Sequence, residues 1–567
     1  MTMAATAARR TVLAAILAAL TLASVHGQVA FDRLRDAAGE PRNWLTYSGS
    51  YFSQRHSRLD RITPDNVGDL ALQWVYQTPV MGTWQATPIV VDGVMYLTQR
   101  PNDIVALDAR TGRVYWIYRY PTPADHRACC QANNRGVAVL GDKVFMATLD
   151  AHVVAVDATT GAELWDTEVA DKNLAYAFTL APLAVDGKVL VGSTGGDQGI
   201  RGFVAALDAE TGQEVWRFHT IPGPGEPGHE TWEPCPPNPE TYCDPEAWKH
   251  GGGAAWLTGS YDPELNLTYW GTGNPGPDFN RAQRPGDNLY TSSVVALDAD
   301  TGELRWHFQF TPGDPYDYDA VQIPVLADIT RNDTVFKVML FANRNGFYYV
   351  LDRATGRFLT GRPFVSVNWA EALDDSGRPV ETPQPAGAPT YPGVAGGTNW
   401  YSPSYSPGTE LFYVPAWENY ASIFGGEPEE YEEGEFFTGG GIAEAAPVPD
   451  APGMPRVTRG PINDWTEALG TGAVLALDAL TGEQQWKFEM TDVIRSGILT
   501  TASDLLFTGA RSGYFQALDA RTGTLLWKVS LGSQIINGPM TYEVDGRQYV
   551  AVISGHALST FALRDPI

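Results

Sequence analysis

The sequence predicts an all-β protein, an eight-bladed β-propeller, from its composition and from one repeated phrase. Its 567 residues include 58 Gly, 40 Pro, 25 Tyr and 17 Trp, and 44% are hydrophobic. Such a composition is typical of many turns and aromatic strands around a large core. The phrase Ala-x-Asp-x-x-Thr-Gly-x-x-x-Trp recurs along the chain, and internal repeats of this kind indicate a repeated architecture.

Each copy of the phrase predicts a β-hairpin with a tryptophan anchor. An apolar strand ends at the Asp, Thr-Gly makes the turn, and the next strand brings a Trp that can be buried between sheets. Strand-like runs at 90–98 and 185–193 lie between copies and give about four strands per repeat, as in a propeller blade. Six copies start at Ala106, Ala155, Ala206, Ala296, Ala476 and Ala517, and a degenerate copy starts at Val350.

The last blade is expected to draw on both ends of the chain, from residues 70–78 and residues 549–555. The spacing lengthens after the third and the fifth copies, which predicts inserts at one face, where propellers bind ligands. The stretch 425–460 is rich in Glu, Gly and Pro and predicts a flexible acidic insert. We expect residues 28–567 to form one propeller domain.

The first residues predict export to the periplasm. Arg9-Arg10 precedes the apolar stretch 11–23 and a run of small residues that ends at Gly27. This order is typical of a cleaved signal peptide, residues 1–27, and the stretch is too short to span a membrane. A buried N-terminal helix is the alternative, and the paired arginines are a weak sign of the twin-arginine route. No later stretch approaches membrane-spanning length, so we expect a soluble mature protein.

The four cysteines form two close pairs, Cys129–Cys130 and Cys235–Cys243. Two disulfides are expected in an exported protein, and zinc is disfavoured because no His lies at ligand spacing from either pair. The adjacent cysteines can close a disulfide only with a strained peptide, and a flat sulfur platform would suit a planar cofactor. Two reduced buried thiols are the alternative. No Cys-x-x-Cys-His, the motif that attaches haem covalently, occurs in the chain. We therefore expect no covalent haem, and electrons would have to pass from the chain to another protein.

The formal net charge of −27 argues against nucleic acid and anionic lipid as partners. A charge of this sign suits a basic protein partner, or it serves solubility alone. Both explanations stay open from the sequence.

The motif CCQANNRG, which starts at Cys129, resembles the quinoprotein alcohol dehydrogenases, the family of PQQ-dependent methanol and ethanol dehydrogenases. The similarity continues over nearly the whole mature chain. It implies that the Cys129–Cys130 disulfide covers one face of PQQ and that Arg135 binds its carboxylates. A guanidinium suits this role because it is always charged and can bind a carboxylate through two hydrogen bonds.

Other motifs supply the remaining cofactor contacts that the resemblance implies. Trp256, in WKHGGGAAW, is expected to stack on PQQ opposite the disulfide, although a lone Trp in a propeller is usually core packing. Arg344 is expected near the quinone oxygens, where it would stabilise negative charge; a surface ion pair is the alternative. Glycines in GSTGGDQGIRG allow the backbone close to a ligand. The other expected contacts are Gln85, Thr148, Thr194, Gly195, Gly196, Asn399 and Trp400.

The segment TPGDPYDYD predicts catalytic chemistry. Asp317 and Asp319 would project to the same side if the segment is extended, and they repel unless a cation, a proton or water screens them. By resemblance, Asp317 is the catalytic base and a metal ligand, and Asp319 is the extra ligand of members that use lanthanides. Asp197 and Asn274 complete the expected ligand set. Three carboxylates balance a trivalent ion better than Ca²⁺, so a lanthanide is favoured over calcium. Solvated loop acids and a simple Asn-Pro turn are the alternatives.

Four positions depart from the family pattern. Asp197 stands where the family usually has Glu, Gln85 where many relatives have Glu, Ala254 where Thr is common, and Arg495 where a Trp is expected. These changes bear on the substrate and on the detailed cofactor contacts more than on the reaction class.

The resemblance implies an enzyme that oxidises an alcohol to an aldehyde or ketone by hydride transfer to metal-bound PQQ. A soluble cytochrome c is the expected electron acceptor. The same chemistry on a sugar, polyol, polymer or bulky secondary alcohol is one alternative. A non-catalytic envelope scaffold is another, although such a propeller has no need for CCxxxNRG, GNPGP and DYD together. The family includes homodimers and assemblies with a small second subunit, and the sequence does not decide between them.

Overall fold

The computed structural model describes residues 29–128, 132–236, 242–444 and 470–564. The predicted signal peptide, Cys129 and Cys130 lie outside these residues. Within them the chain is an eight-bladed β-propeller, as the repeats predict. A single short α-helix, Phe31–Arg35, precedes the blades in the described chain. Short 3₁₀ turns occupy Ala37–Gly39, Val67–Asp69, Lys172–Leu174, Gly196–Gln198, His229–Thr231, Ala247–His250 and Arg281–Gln283.

The strands of the first half of the chain build two closing strands and four blades. The closing strands are β1 (His56–Ser57) and β2 (Leu70–Gln77). Blade one has β3 (Ile89–Val91), β4 (Val94–Gln99), β5 (Asp103–Asp108) and β6 (Val114–Arg119). Blade two has β7 (Ala138–Leu140), β8 (Lys143–Ala147), β9 (His152–Asp157) and β10 (Glu163–Glu168). Blade three has β11 (Leu183–Val185), β12 (Lys188–Gly192), β13 (Phe203–Asp208) and β14 (Glu214–His219). Blade four has β15 (Ser260–Asp262), β16 (Leu267–Gly271), β17 (Ser293–Asp298) and β18 (Leu304–Gln309).

The second half builds four more blades and two accessory hairpins. Blade five has β19 (Val325–Arg331), β20 (Thr334–Ala342), β21 (Phe347–Asp352) and β22 (Phe358–Pro363), and a hairpin of β23 (Ala370–Leu373) and β24 (Pro379–Glu381) follows it. Blade six has β25 (Ser404–Ser406), β26 (Leu411–Glu418), β29 (Thr471–Asp478) and β30 (Gln484–Glu489), with β27 (Ser422–Gly426) and β28 (Gly440–Glu444) inserted. Blade seven has β31 (Ile498–Thr501), β32 (Leu505–Gly509), β33 (Tyr514–Asp519) and β34 (Leu525–Ser530). Blade eight has β35 (Met540–Val544), β36 (Arg547–Ser554) and β37 (Ala557–Leu563).

The repeated phrase forms the outer hairpin of a blade, and blade two shows why its residue types are needed. The Oδ1 atom of Asp157 accepts hydrogen bonds from the backbone N–H of Thr159 (3.1 Å) and Thr160 (2.7 Å), which closes the turn. Gly161 then takes a left-handed φ of +71°. The Trp116 ring of the preceding blade lies over that glycine, and its indole N–H donates to Ala158 O at 3.2 Å. The tryptophan therefore joins one blade to the next.

We expect Gly161→Ala to lower the free energy of unfolding by roughly 2 to 4 kcal/mol, through the left-handed backbone and overpacking together. An added Cβ would lie 2.5 Å from Cε3 of Trp116. Gly187→Ala is the matched control, because Gly187 has a similar φ of +73° and nothing within 4 Å of the added atom. The control isolates the backbone effect, expected near 1 kcal/mol. Chemical denaturation of both variants measures the difference, and equal losses would show that the tryptophan contact contributes nothing.

The ring is closed by strands from opposite ends of the chain. Strand β2 pairs antiparallel with β37, from Leu70 opposite Leu563 to Gln77 opposite Ala557. Residues 549–555 belong to the same blade, as predicted, but β37 lies between them and β2. Strand β1 adds to blade seven in parallel, with His56 opposite Thr500. The core fills the spaces between sheets, where the inner strands are buried and the outermost strand of each blade is half exposed.

The two long spacings hold inserts, as predicted. The first contains the Cys235–Cys243 disulfide, which confirms that pairing. In the second, the described part of the expected acidic insert forms the hairpin of β27 and β28, and Phe437 N–H donates to Asp197 O at 2.7 Å. Flexibility stays a prediction for the rest of that stretch, which lies outside the described residues. Among the described helices, none has the length and apolar character that crossing a membrane requires.

Candidate active site

The segment between blades four and five carries two of the expected metal ligands. Asp314, which is fully buried, accepts hydrogen bonds from the backbone N–H of Tyr316 (2.8 Å) and Tyr318 (2.6 Å) and from the Ser292 hydroxyl (3.1 Å). These bonds fold the chain back on itself. The sequence-based expectation that Asp317 and Asp319 project to the same side required an extended segment. The segment is not extended, and Asp317 has a left-handed φ of +57°.

Asp317 and Asp319 nevertheless meet at one guanidinium. Arg344 Nη2 lies 2.9 Å from Asp317 Oδ2, and Nη1 lies 2.5 Å from Asp319 Oδ2. Two of its nitrogens also donate to Val394 O, at 2.8 and 2.5 Å, so the guanidinium is held on both sides. The alternative of a surface ion pair is wrong, because the Arg344 side chain is only 8% exposed. Arg344 is the positive charge that screens the two carboxylates from each other.

The carboxylates of this region are held away from water and near one another. Burial, together with the charge of Asp319, raises the pKa of Asp197 to about 6, against the effect of Arg344. Burial also raises the pKa of Asp317 well above its usual range and raises the pKa of Asp319. A bound cation would offset this unfavourable concentration of acids.

Asp197 and Asn274 come to the same region from two other loops. Asp197 lies in the turn Gly196–Gln198, next to Gly195, where a side chain would collide with a backbone carbonyl. Asn274 is buried, and its backbone N–H donates to Asp319 Oδ1 at 3.1 Å. No group of three His, Cys, Asp or Glu within the described ranges forms a ready-made cation cage. The fit to a cation rests instead on an oxygen-rich, acid-rich donor set.

Arg135 is a buried cation without an acidic partner among the described residues. Its guanidinium lies between two indole rings, 5.1 Å from the Trp256 centroid and 4.8 Å from that of Trp400. Nη1 donates to Thr179 O at 3.1 Å, whereas Nε has no hydrogen-bond partner. Burial lowers the pKa of Arg135 to about 10. An unpaired buried donor of this kind fits an anionic ligand.

Thr194 is linked through Thr179 to Trp256, whereas Thr148 makes hydrogen bonds within its own turn. The Thr194 hydroxyl lies 3.1 Å from that of Thr179, which in turn lies 3.4 Å from Trp256 O. The Thr148 hydroxyl donates to Asp150 Oδ1 at 2.6 Å and accepts from the backbone of the following turn. The contacts of Thr148 in the described chain are therefore those of a turn residue, and its role toward a cofactor stays a prediction.

Of the remaining expected contacts, Gln85 and Asn399 lie in loops that precede innermost strands, and Gly196 lies between the second and third strands of blade three. Gln85 Oε1 is buried and unpaired, the same condition as Arg135 Nε. Asn399 accepts a hydrogen bond from Trp400 N at 2.9 Å and donates to Ala395 O at 3.0 Å. Gly196 packs against Ala254, where an added Cβ would lie 3.4 Å from the alanine methyl group. The Cys129–Cys130 platform lies outside the described residues, and its disulfide stays a prediction.

Sequence reasoning missed several residues of this site. Thr179 and Asn537 each precede an innermost strand, at the position that Gln85, Arg135 and Trp256 occupy in their own blades. An alignment of the loops before the innermost strands of all blades would have identified Thr179 and Asn537. Two buried acids were also missed, and no repeat marks them: Asp314 and Asp278.

Comparison with known proteins identifies the family. The family model described as "PQQ: Glucose/ethanol/alcohol dehydrogenase, beta-propeller domain" matches residues 44–368 and 465–550. The chain belongs to the quinoprotein alcohol dehydrogenases. Quinohemoprotein alcohol dehydrogenase ADH IIB of Pseudomonas putida is 38% identical over 94% of this chain and 76% of its own length. Quinoprotein alcohol dehydrogenase PedH of Pseudomonas putida is 36% identical over 95% of this chain and 91% of its own.

Solved structures of quinoprotein alcohol dehydrogenases superpose closely on this one. A europium-containing methanol dehydrogenase gives a TM-score of 0.84 at 34% identity, over 94% of this chain and all of that one. The quinohemoprotein alcohol dehydrogenase ADHIIG from Pseudomonas putida HK5 gives a TM-score of 0.86 at 36% identity, over 96% of this chain and 84% of that one. The relatives are enzymes that depend on PQQ, so this chain belongs to an enzyme family of alcohol oxidation.

Proposed function

We propose that this protein oxidises an alcohol to an aldehyde or ketone with PQQ and one bound metal ion. A single arrangement carries the proposal: an unpaired buried cation and a group of buried acids share one tryptophan. The Trp256 ring packs against Arg135, and the same side chain lies near Asp319, where it lowers the pKa of that carboxyl against the effect of burial. Anion binding and proton acceptance are therefore adjacent.

We assign the cofactor to the groups around that tryptophan. Arg135 would bind carboxylates, and the aromatic faces of Trp256 and Trp400 would hold a planar ring. When bound, PQQ supplies the acceptor for the hydride that leaves the alcohol carbon, with the metal as Lewis acid. The full proposed set is Gln85, Cys129, Cys130, Arg135, Thr148, Thr194, Gly195, Gly196, Trp256, Arg344, Asn399 and Trp400.

Asp317 is the proposed catalytic base. A carboxylate oxygen of Asp317 accepts the hydroxyl proton of the alcohol as the C–H bond breaks, which leaves a carbonyl product. The ion pair with Arg344, at 2.9 Å, favours the ionised form of this carboxylate against the burial that raises its pKa, and it fixes the direction of the carboxylate. The Asp317 side chain is 20% exposed, so its position limits the access of water to the proton that is transferred.

The proposed metal ligands are Asp197, Asn274, Asp317 and Asp319. Three of them are carboxylates, and the burial that raises their pKa values disfavours leaving them charged without a cation. A trivalent ion neutralises more of this charge than Ca²⁺ does, so we propose a lanthanide rather than calcium.

We further propose that the protein is exported through the segment 1–27 and acts in the periplasm. Electrons then pass to a separate soluble cytochrome c. The net charge of −27 supports a basic acceptor, because complementary charge accelerates the encounter of redox partners.

Dye-linked alcohol oxidation by the purified mature protein tests the proposal. Assays with PQQ compare added lanthanum, added calcium and no metal across a panel of primary, secondary and polyhydroxy alcohols. Activity that requires PQQ and lanthanum supports the proposed reaction, the cofactor and the lanthanide. Activity with calcium alone keeps the reaction and overturns the lanthanide assignment. A protein that neither binds PQQ nor oxidises any alcohol with either metal would instead support a scaffold role.

We expect Asp319→Ala to lower the lanthanum-supported rate at limiting metal by at least about 10- to 100-fold, the range typical for lost support of a metal site. The lost carboxylate removes one negative ligand, whereas Asp317 keeps its own bond to Arg344. Rates measured against metal concentration separate weaker binding from slower chemistry. Asp375→Ala, at an exposed loop position, is the control. An unchanged lanthanum requirement would remove Asp319 from the ligand set.

A further inference from the structure

A buried carboxylate that no motif marks lies directly behind one of the proposed metal ligands. Asp278 is 3% exposed, and its Oδ1 accepts a hydrogen bond from Asn274 Nδ2 at 2.8 Å. No described residue donates a hydrogen bond to its second oxygen. Within the described chain, the Asp278 side chain therefore has one hydrogen-bond partner, Asn274.

The backbone beneath Asp278 is fixed by a buried arginine. Arg284 Nε donates to Pro277 O at 3.0 Å, and its Nη2 donates to Asp278 O at 3.2 Å and to Asp314 O at 2.5 Å. The same guanidinium thus ties the Asn274 loop to the segment that carries Asp317. These bonds hold the Asp278 backbone in place beside the Asn274 loop.

The hydrogen bond has a chemical consequence for Asn274. A side-chain amide can face a cation with its oxygen or, after rotation by half a turn, with its nitrogen, and only the oxygen binds a hard metal ion. In the structure the donor is Asn274 Nδ2 and the acceptor is Asp278 Oδ1, an oxygen that accepts without donating. Asp278 therefore holds the NH₂ end, which leaves the amide oxygen directed away from it.

We propose that Asp278 orients the Asn274 amide as an oxygen ligand and thereby sets the cation affinity of the site. This rests on the proposed function, in which Asn274 binds the metal. Outer groups that orient metal ligands typically contribute 10- to 100-fold to affinity. Asp278 is a positioning residue, because its side-chain hydrogen bond reaches the proposed metal site through Asn274.

Europium(III) binding to the PQQ-loaded protein tests this without reference to turnover. Chelator competition gives the Eu³⁺ affinity, and luminescence lifetimes in H₂O and D₂O count the water molecules on the ion. We expect Asp278→Leu to lower the affinity about 10- to 100-fold and to add about one water, because the amide oxygen is no longer held. Asp278→Asn keeps an acceptor for Asn274 and should retain the wild-type water count with most of the affinity.

A double-mutant cycle separates positioning from the alternatives. If Asp278 acts through Asn274, adding Asp278→Leu to Asn274→Ala changes the Eu³⁺ affinity no further. Additive losses would make Asp278 an independent ligand and overturn the proposal. Equal losses in Asp278→Asn and Asp278→Leu with an unchanged water count would reduce its role to charge alone, which also overturns it.

The wild-type and Asn274→Ala proteins distinguish a failure of the proposed metal site from a failure of the proposed role of Asp278. A wild-type protein that takes up no Eu³⁺ overturns the proposed metal site and this inference together. If Asn274→Ala weakens binding and Asp278→Leu does not, the metal site stands and only the role of Asp278 fails. Melting temperatures of all variants show that the compared proteins are folded.

Discussion

An Asp317→Asn variant is expected to lose alcohol oxidation by about 100- to 10,000-fold in kcat, the usual contribution of a general base. The amide cannot take the hydroxyl proton. It has nearly the same shape, and Arg344 keeps its bonds to Asp319 and Val394, so the fold should persist. Steady-state kinetics with a dye acceptor measure kcat, and absorbance of the released cofactor measures its occupancy.

The control for Asp317→Asn is Asp375→Asn, which changes an exposed carboxylate in the loop between β23 and β24. It should leave kcat, KM and cofactor content as in the wild type. If Asp317→Asn loses the cofactor in proportion to its activity, the residue binds rather than catalyses. A variant with full kcat would remove Asp317 from the proton transfer altogether.

Replacing Arg135 with methionine should weaken PQQ binding and strengthen the cofactor-free fold at once. Truncating one partner of a buried charge pair typically costs about 2 to 5 kcal/mol of binding, roughly 30- to 5,000-fold in affinity. Without the cofactor, Arg135 is a desolvated charge that no acid compensates among the described residues, and burial lowers its pKa to about 10. Removing it should therefore raise the melting temperature of the cofactor-free protein.

Arg55 provides the matched control. Burial also lowers its pKa to about 10, yet its guanidinium donates to three backbone carbonyls, those of Tyr47, Ile498 and Pro539. Arg55→Met leaves these carbonyls unpaired and should lower the melting temperature. Calorimetry of the cofactor-free proteins and PQQ titrations measure both effects. If Arg135→Met also destabilises the cofactor-free protein, Arg135 is a structural residue like Arg55.

The sequence predicts the blades well because the outer hairpin is a local structure. Asp157, Thr160 and Gly161 determine the turn through contacts within five residues, so the pattern is readable in every copy. The inner strands carry no such repeated phrase, and the closing strand β2 pairs with a segment from the far end of the propeller. The sequence therefore places residues 70–78 and 549–555 in the correct blade, but it does not reveal that β37 lies between them.

The candidate site is less readable, because its geometry depends on contacts between loops. The left-handed φ of Asp317 follows from hydrogen bonds to Asp314, which nothing in the local pattern reveals. Thr179 belongs to a set that appears only when the loops before the innermost strands are compared across blades. Asp278 is recognisable only by the side chain it contacts.

The pairing of β2 with β37 determines when, during synthesis and folding, the candidate site can form. Residues 557–563 are synthesised after residues 70–77, and the ring is complete only when the two segments have paired. Pairings this distant in sequence are slow to form. The candidate site takes its side chains from loops of successive blades, so a chain truncated before β37 lacks the closed ring that positions these loops. We therefore expect the proposed metal ion and cofactor to bind only after strand β37 has joined the ring.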